Sequence, residues 1–88
     1  ITLKKNIEVI PNALDKVMEL RGVTFDRIDQ EDGRRQTGVI AQEVEKVLPE
    51  VVHTNDEGIK SVAYGNIVGL LIESIKELKS EIEELKNK

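Results

Sequence analysis

The clearest pattern of apolar and polar positions lies at the end of the chain. From Asn66 onward, Val68, Leu71, Ile75, Leu78, Ile82 and Leu85 recur at spacings that alternate between three and four, the signature of a helix with a heptad seam. Val68, Ile75 and Ile82 take position a, and Leu71, Leu78 and Leu85 take position d. Ile at a with Leu at d favours two strands by itself, but Ile67 and Ile72 fall at g and e and widen the apolar face, which suits three or more chains. Glu81 at g and Lys86 at the next e are placed to pair between chains. Within one helix, Glu73 faces Lys76 and Glu77, and Glu83 faces Lys86. Asn66, just after Gly65, is the expected cap. The seam runs for about two and a half heptads, and an isolated helix of that length is marginal in water, so the rest of the chain must help hold it.

Upstream the periods are shorter and change often. Ile1, Leu3, Ile7 and Val9 alternate in part and predict an extended lead-in over residues 1–10. Ala13, Leu14, Val17 and Met18 sit at helical spacing, with Pro11 tolerated in a first turn and Gly22 placed to end the segment, so a short amphipathic helix is predicted over 11–20. Residues 23–28 mix β-branched and aromatic side chains and predict a strand, followed by a polar, exposed loop over 29–35. Ile40, Val44, Val47 and Leu48 share the face of a two-turn helix over 41–48, which Pro49 prevents from continuing. Val51 and Val52 and the segment 59–64 flank a connector whose Asn55, Asp56 and Gly58 suit a turn, so a β-hairpin is predicted. The loops are too short to separate domains. The expected architecture is α+β, with a small head over residues 1–65, built of short helices and a β-hairpin, and a long C-terminal helix over 66–88, one domain in all.

Composition sharpens the role of that helix. The chain has 88 residues, with Phe25 and Tyr64 its only aromatic side chains, which places the head near the lower limit for a self-sufficient core. It offers too few large apolar groups to cover a helix roughly 30 Å long at 1.5 Å per residue. The alternative, a helix that simply packs back on its own head, therefore ranks second to self-association. The formal net charge is −4, with acids and bases interspersed, whereas a nucleic-acid surface shows as a clustered basic stripe. No Cys is present and His53 is the only histidine, which removes disulfides and a dedicated zinc site. Asp29, Glu31, Asp32, Asp56 and Glu57 lack the spacing of a calcium loop, so no metal or cofactor is expected. The longest apolar run is too short to span a membrane, and Lys4 and Lys5 precede Asn6 and Glu8, not a signal-peptide core. Because the chain opens on Ile1 and not on Met, it is expected to be a piece of something longer.

Several strings taken in order resemble a known family. They are Leu3-Lys4-Lys5-Asn6-Ile7, Ala13-Leu14, Leu20-Arg21-Gly22-Val23-Thr24-Phe25, Gly38-Val39-Ile40-Ala41-Gln42-Glu43-Val44, Leu48-Pro49-Glu50-Val51-Val52, Val62-Ala63-Tyr64 and Ile75-Lys76-Glu77-Leu78. Together they are similar to the intramolecular chaperone autoprocessing domain at the C-termini of phage endosialidases, tailspikes and tail fibres, found also in a membrane-tethered myelin transcription factor. The resemblance implies a homotrimer whose long helices form a coiled coil, which aids folding of the preceding fibre or spike and is then released by a Ser-Lys dyad. The lysine matching the family's base is Lys4. The family's serine would fall just upstream of Ile1, so this fragment alone is expected to be inactive. Ser61, Ser74 and Ser80 lie in the wrong contexts to replace it. Asn6, Gly38, Gln42 and Glu43 are the further candidates for the active site or for fibre contact, although as polar residues opening a helix Gln42 and Glu43 need no function.

The chemistry constrains when such a dyad could act. A lysine accepts a serine proton only when neutral, and a free lysine, with a pKa of about 10.4, is almost wholly protonated at pH 7. Burial lowers that value, so cleavage would wait until a closed trimer desolvates Lys4. The expected partners are other copies of the chain and the preceding part of its own precursor, without nucleic acid or membrane. The expected setting is the cytoplasm of an infected bacterium, with the domain absent from the finished virion. The competing reading is a structural trimerisation module that stays attached and performs no chemistry. A transcription-factor setting is disfavoured because no apolar span follows.

Overall fold

A computed structural model describes residues 3–29 and 33–88. Ile1 of the expected lead-in and Glu31 and Asp32 of the expected acidic loop lie outside the described residues. The elements follow in the order α1 (Ala13–Met18), β1 (Val23–Phe25), β2 (Gln36–Gly38), α2 (Ala41–Val47), a 3-10 turn (Pro49–Val51), β3 (Val52–Thr54), β4 (Lys60–Val62) and α3 (Tyr64–Lys86). The strands form two separate antiparallel hairpins, with Val23 opposite Gly38 in the first and Val52 opposite Val62 in the second. The class is α+β as predicted, with one hairpin more than the pattern of the sequence discloses.

Local chemistry accounts for most of these boundaries. In β3–β4, the Asn55 carboxamide oxygen accepts the amides of Glu57 at 2.9 Å and Ile59 at 3.0 Å, and Gly58 takes the left-handed conformation, φ 81°, that closes such a turn without strain. Lys60 then ties the hairpin to α2 through Glu45 at 3.0 Å and bonds Thr54 across the strands. Pro49 stops α2 as expected and opens the 3-10 turn. No sequence pattern marks strand β2, because Gln36-Thr37-Gly38 carries no apolar alternation. Its partner strand is braced from the side by Arg35, which reaches Asp26 at 3.1 Å and Thr24 at 2.8 Å.

Two expected helix boundaries need correction. Helix α1 is shorter than predicted and leaves Met18 74% exposed, because at 100° per residue its side chain stands roughly 140° round from the buried Ala13. Helix α3 starts at Tyr64, so Asn66 is not its cap. Ala63 holds that position with no side-chain bond, and its amide donates to the Val51 carbonyl at 2.8 Å, which fixes the start of the helix to the 3-10 turn.

The core is small. Ala13, Val44, Leu48, Val51, Ile67 and Leu70 are buried, bringing α1, α2, the 3-10 turn and the first half of α3 together. Ser74 is buried beside them and its hydroxyl donates to the Leu70 carbonyl at 2.7 Å, so no polar atom is stranded there. From Leu78 to the end of the chain every residue is exposed. That projecting half of α3 contributes to a longest dimension of 54 Å.

Candidate functional site

Helix α3 presents two different faces. Ile67, Leu70 and Ser74 are buried against the head and Glu77 is half-buried on the same side. Rotated by roughly 100° about the axis, Val68, Leu71, Ile75, Leu78, Ile82 and Leu85 all remain exposed, Ile75 and Leu85 to 67% and 68%. Ile72 is exposed beside them. Ile67, expected to widen the seam at position g, is instead 8% exposed inside the core of its own head, because the head covers that side of the first turn. Charges along the helix pair Lys76 with Glu73 and Lys79 with Glu83, each at 3.7 Å.

The candidate base, Lys4, is exposed on the lead-in, as is Asn6. Asn6 has φ 56°, a left-handed conformation that asparagine tolerates better than most side chains, and it bends the segment between Lys4 and Ile7. Leu3, Ile7 and Val9 are exposed along the same stretch. At the end of the lead-in Asn12 is also left-handed, φ 53°, and makes no side-chain cap for α1. The cap comes from across the molecule. The two carboxylate oxygens of Glu77 accept the amides of Ala13 and Leu14, each at 2.9 Å, which places a negative charge at the positive end of α1. In the sequence Glu77 is one acid among several on an exposed helix face, and no local signal marks it.

Gln42 lines a cleft of about 310 Å³ between β1, the start of α2, β4 and the start of α3, and Gly38 lies against Tyr64, another of its lining residues. Gln42, Phe25, Arg27, Lys60, Ser61 and Tyr64 are among its lining residues. The Tyr64 hydroxyl accepts the Val39 amide at 3.3 Å, and a Cβ added at Gly38 would overlap that hydroxyl. Gly38→Ala is therefore expected to displace Tyr64 and cost roughly 1–3 kcal/mol. Combining it with Tyr64→Phe should recover part of that loss. Thermal unfolding of the single and double variants measures both, and equal costs in the two backgrounds would remove the crowding explanation.

Glu43 does not join the cleft. It takes a forked contact from Arg21, closest at 2.9 Å, and this hydrogen bond holds its carboxyl below the usual carboxylate range. Arg27 does the same to Asp29 at 2.8 Å. The candidates thus fall in three places: Lys4 and Asn6 on the lead-in, Gly38 and Gln42 by the cleft, and Glu43 in an ion pair beside it. His53 is exposed on β3. Among the described residues no group of three metal-ligating side chains gathers, and no helix is long and apolar enough to cross a membrane.

Residues 1–53 match the family described as "Chaperone of endosialidase". The chain is 36% identical over 95 residues to the long tail fiber protein Gp37 of Enterobacteria phage K3, with all of this chain and 8% of that protein covered. It is 36% identical over 92 residues to Gp37 of Enterobacteria phage M1, covering 96% of this chain and 37% of that protein. Against Gp37 of Salmonella phage S16 it is 33% identical over 101 residues, covering 97% of this chain and 14% of that protein. The chain thus spans a minor part of the length of these relatives.

Proposed function

Since the chain belongs to the chaperone-of-endosialidase family, we propose that it is a C-terminal intramolecular chaperone for a phage tail fibre, which trimerises through α3. The observation that carries this reading is the row of exposed apolar side chains from Val68 to Leu85 on a face of α3 that its own head leaves uncovered. Such a row marks a face that a partner covers, and its heptad spacing suits copies of the same helix. With Ile67 taken into the head, Ile72 alone broadens the seam, and the number of strands rests on Ile72 and on the family resemblance. The head over residues 1–65 and the helix over 66–88 act as one domain, because the first half of the helix completes the core of the head.

The mode of action is mass action. Intertwined fibre chains make contacts that are distant in sequence, and closing such loops is slow and entropically costly. A C-terminal trimer holds three chain ends in register at an effective concentration on the order of millimolar, which lowers that cost without ATP. The exposed lead-in, with Leu3, Ile7 and Val9, is the segment through which the preceding fibre region would be met. Assembly takes place in the cytoplasm of the infected bacterium, and the domain is absent from the mature virion.

Release follows from the same scheme. Lys4 is exposed in the single chain, whereas the base of such a dyad acts from a site closed to water. Closure of the trimer around the lead-in is what would take this side chain out of water. A full-length precursor carrying Lys4→Met is expected to trimerise and remain as one band on a denaturing gel, while the wild-type precursor runs as two. Cleavage of the variant at the normal rate would remove Lys4 from the dyad. A wild-type precursor that is never cut would leave the structural module, attached and without chemistry, as the better reading.

A further inference from the structure

The projecting half of α3 meets the head at Glu77. It is the last half-buried residue of the helix, and from Leu78 onward every residue is exposed. A helical end of that length is marginal in water on its own. Covering of Ile75, Leu78, Ile82 and Leu85 by copies of the chain would add to what holds α3 wound through Glu77. Helix α1, for its part, cannot hold its own beginning. It has six residues, and its capping position is a left-handed Asn12 that makes no side-chain bond. The carboxylate of Glu77, 64 and 63 positions away in sequence, accepts the amides of Ala13 and Leu14 instead. The lead-in that carries Lys4 enters α1 at this point.

We propose that Glu77 is a positioning residue that reports assembly to the lead-in: covering the seam keeps α3 wound through Glu77, and its carboxylate then fixes the start of α1 and the segment before it. A lone chain frays from its C-terminal end, loses the carboxylate early, and lets the amides of Ala13 and Leu14 open. The effect on cleavage rests on the Ser-Lys reading above, whereas the latch between the seam and α1 does not.

Amide hydrogen exchange at Ala13, Leu14 and residues 3–10 tests the latch in four forms of the chain: wild type, Ile75→Asp with Ile82→Asp, Glu77→Ala, and all three substitutions together. Sedimentation equilibrium gives the mass of each. The seam pair and Glu77→Ala are each expected to speed exchange at Ala13 and Leu14 roughly ten-fold. The triple variant is expected to be no faster than either, because both changes remove the same contact. Effects that multiply, or a seam pair that dissociates the assembly and leaves these amides protected, would overturn the proposal. Should Glu77→Ala not fold, Glu77→Gln, which keeps one acceptor oxygen, is expected to give intermediate exchange, and wild-type protection in it counts against the latch. A wild-type chain that sediments singly overturns the trimer and the latch together, and is recognised by mass alone. In the full-length precursor, Glu77→Ala trimers are expected to be cut roughly ten-fold more slowly and Glu77→Gln trimers less so. Assembled Glu77→Ala trimers that cut at the normal rate overturn the positioning of the lead-in. If the wild-type precursor is not cut, the dyad reading fails and the exchange cycle alone judges the latch.

Discussion

Replacing Ile75 and Ile82 together by aspartate is expected to turn a three-chain assembly into single chains whose heads remain folded. Both side chains are exposed in the lone chain, 67% and 44%, and neither belongs to the core of the head. In a trimer each would be buried, at about 1.5–3 kcal/mol per side chain. Scaled by those exposures, two isoleucines from each of three chains amount to roughly 5 kcal/mol at the low end, between about three and four powers of ten in association constant. The unpaired carboxylates add a further desolvation cost. Sedimentation equilibrium at micromolar concentration is expected to give the mass of three chains for the wild type and of one for the variant, and circular dichroism should report both as folded. In the precursor, the same pair is expected to leave the fibre insoluble. A wild type and a variant of equal mass would remove the seam from the account of this protein.

The second large effect separates two adjacent leucines. Leu70 is fully buried in the head, while Leu71, one position on, is 45% exposed on the seam. Leu70→Ala is expected to cost about 2–5 kcal/mol through lost burial and the cavity left behind, and a small domain has little in reserve against such a loss. At roughly 4–8 °C per kcal/mol for a domain of this size, its midpoint falls by at least about 8 °C. Leu71→Ala should leave the lone head within about 0.5 kcal/mol of the parent and weaken only the assembly. Because assembly itself raises apparent stability, the comparison belongs in the Ile75→Asp, Ile82→Asp background, followed by thermal unfolding. Equal destabilisation by the two alanines would mean that the two faces of α3 are not distinct.

The two leucines also mark the limit of what periodicity conveys. Val68, Leu71, Ile75, Leu78, Ile82 and Leu85 form a regular row in the sequence, and they form one in space. Ile67 belongs to the same stripe by period alone, because a helix wheel records which residues are apolar and not what lies against them. The position of α1 and of the 3-10 turn assigns Ile67 and Leu70 to the head. The candidate site divides in the same way. Gln42 lines the cleft, and Gly38, close to it in sequence, lies against Tyr64 of the same cleft. Glu43 looked equivalent to Gln42, yet Arg21, distant along the chain, draws it into an ion pair.

What the sequence determined by itself was therefore local: the winding of α1, α2 and α3, the stop at Pro49, the Asn55 and Gly58 turn, and a seam of helical period. Each follows from backbone preference or from spacing within a few residues. Tertiary structure alone decided that the polar segment Gln36–Gly38 pairs as a strand, that α3 has a head face beside its seam, and that Glu77 closes the start of α1. These depend on groups far apart in sequence, whose meeting is selected by burial and by the need of exposed backbone amides for a partner. No nearest-neighbour pattern records that need, because the side chain that meets it stands on another helix.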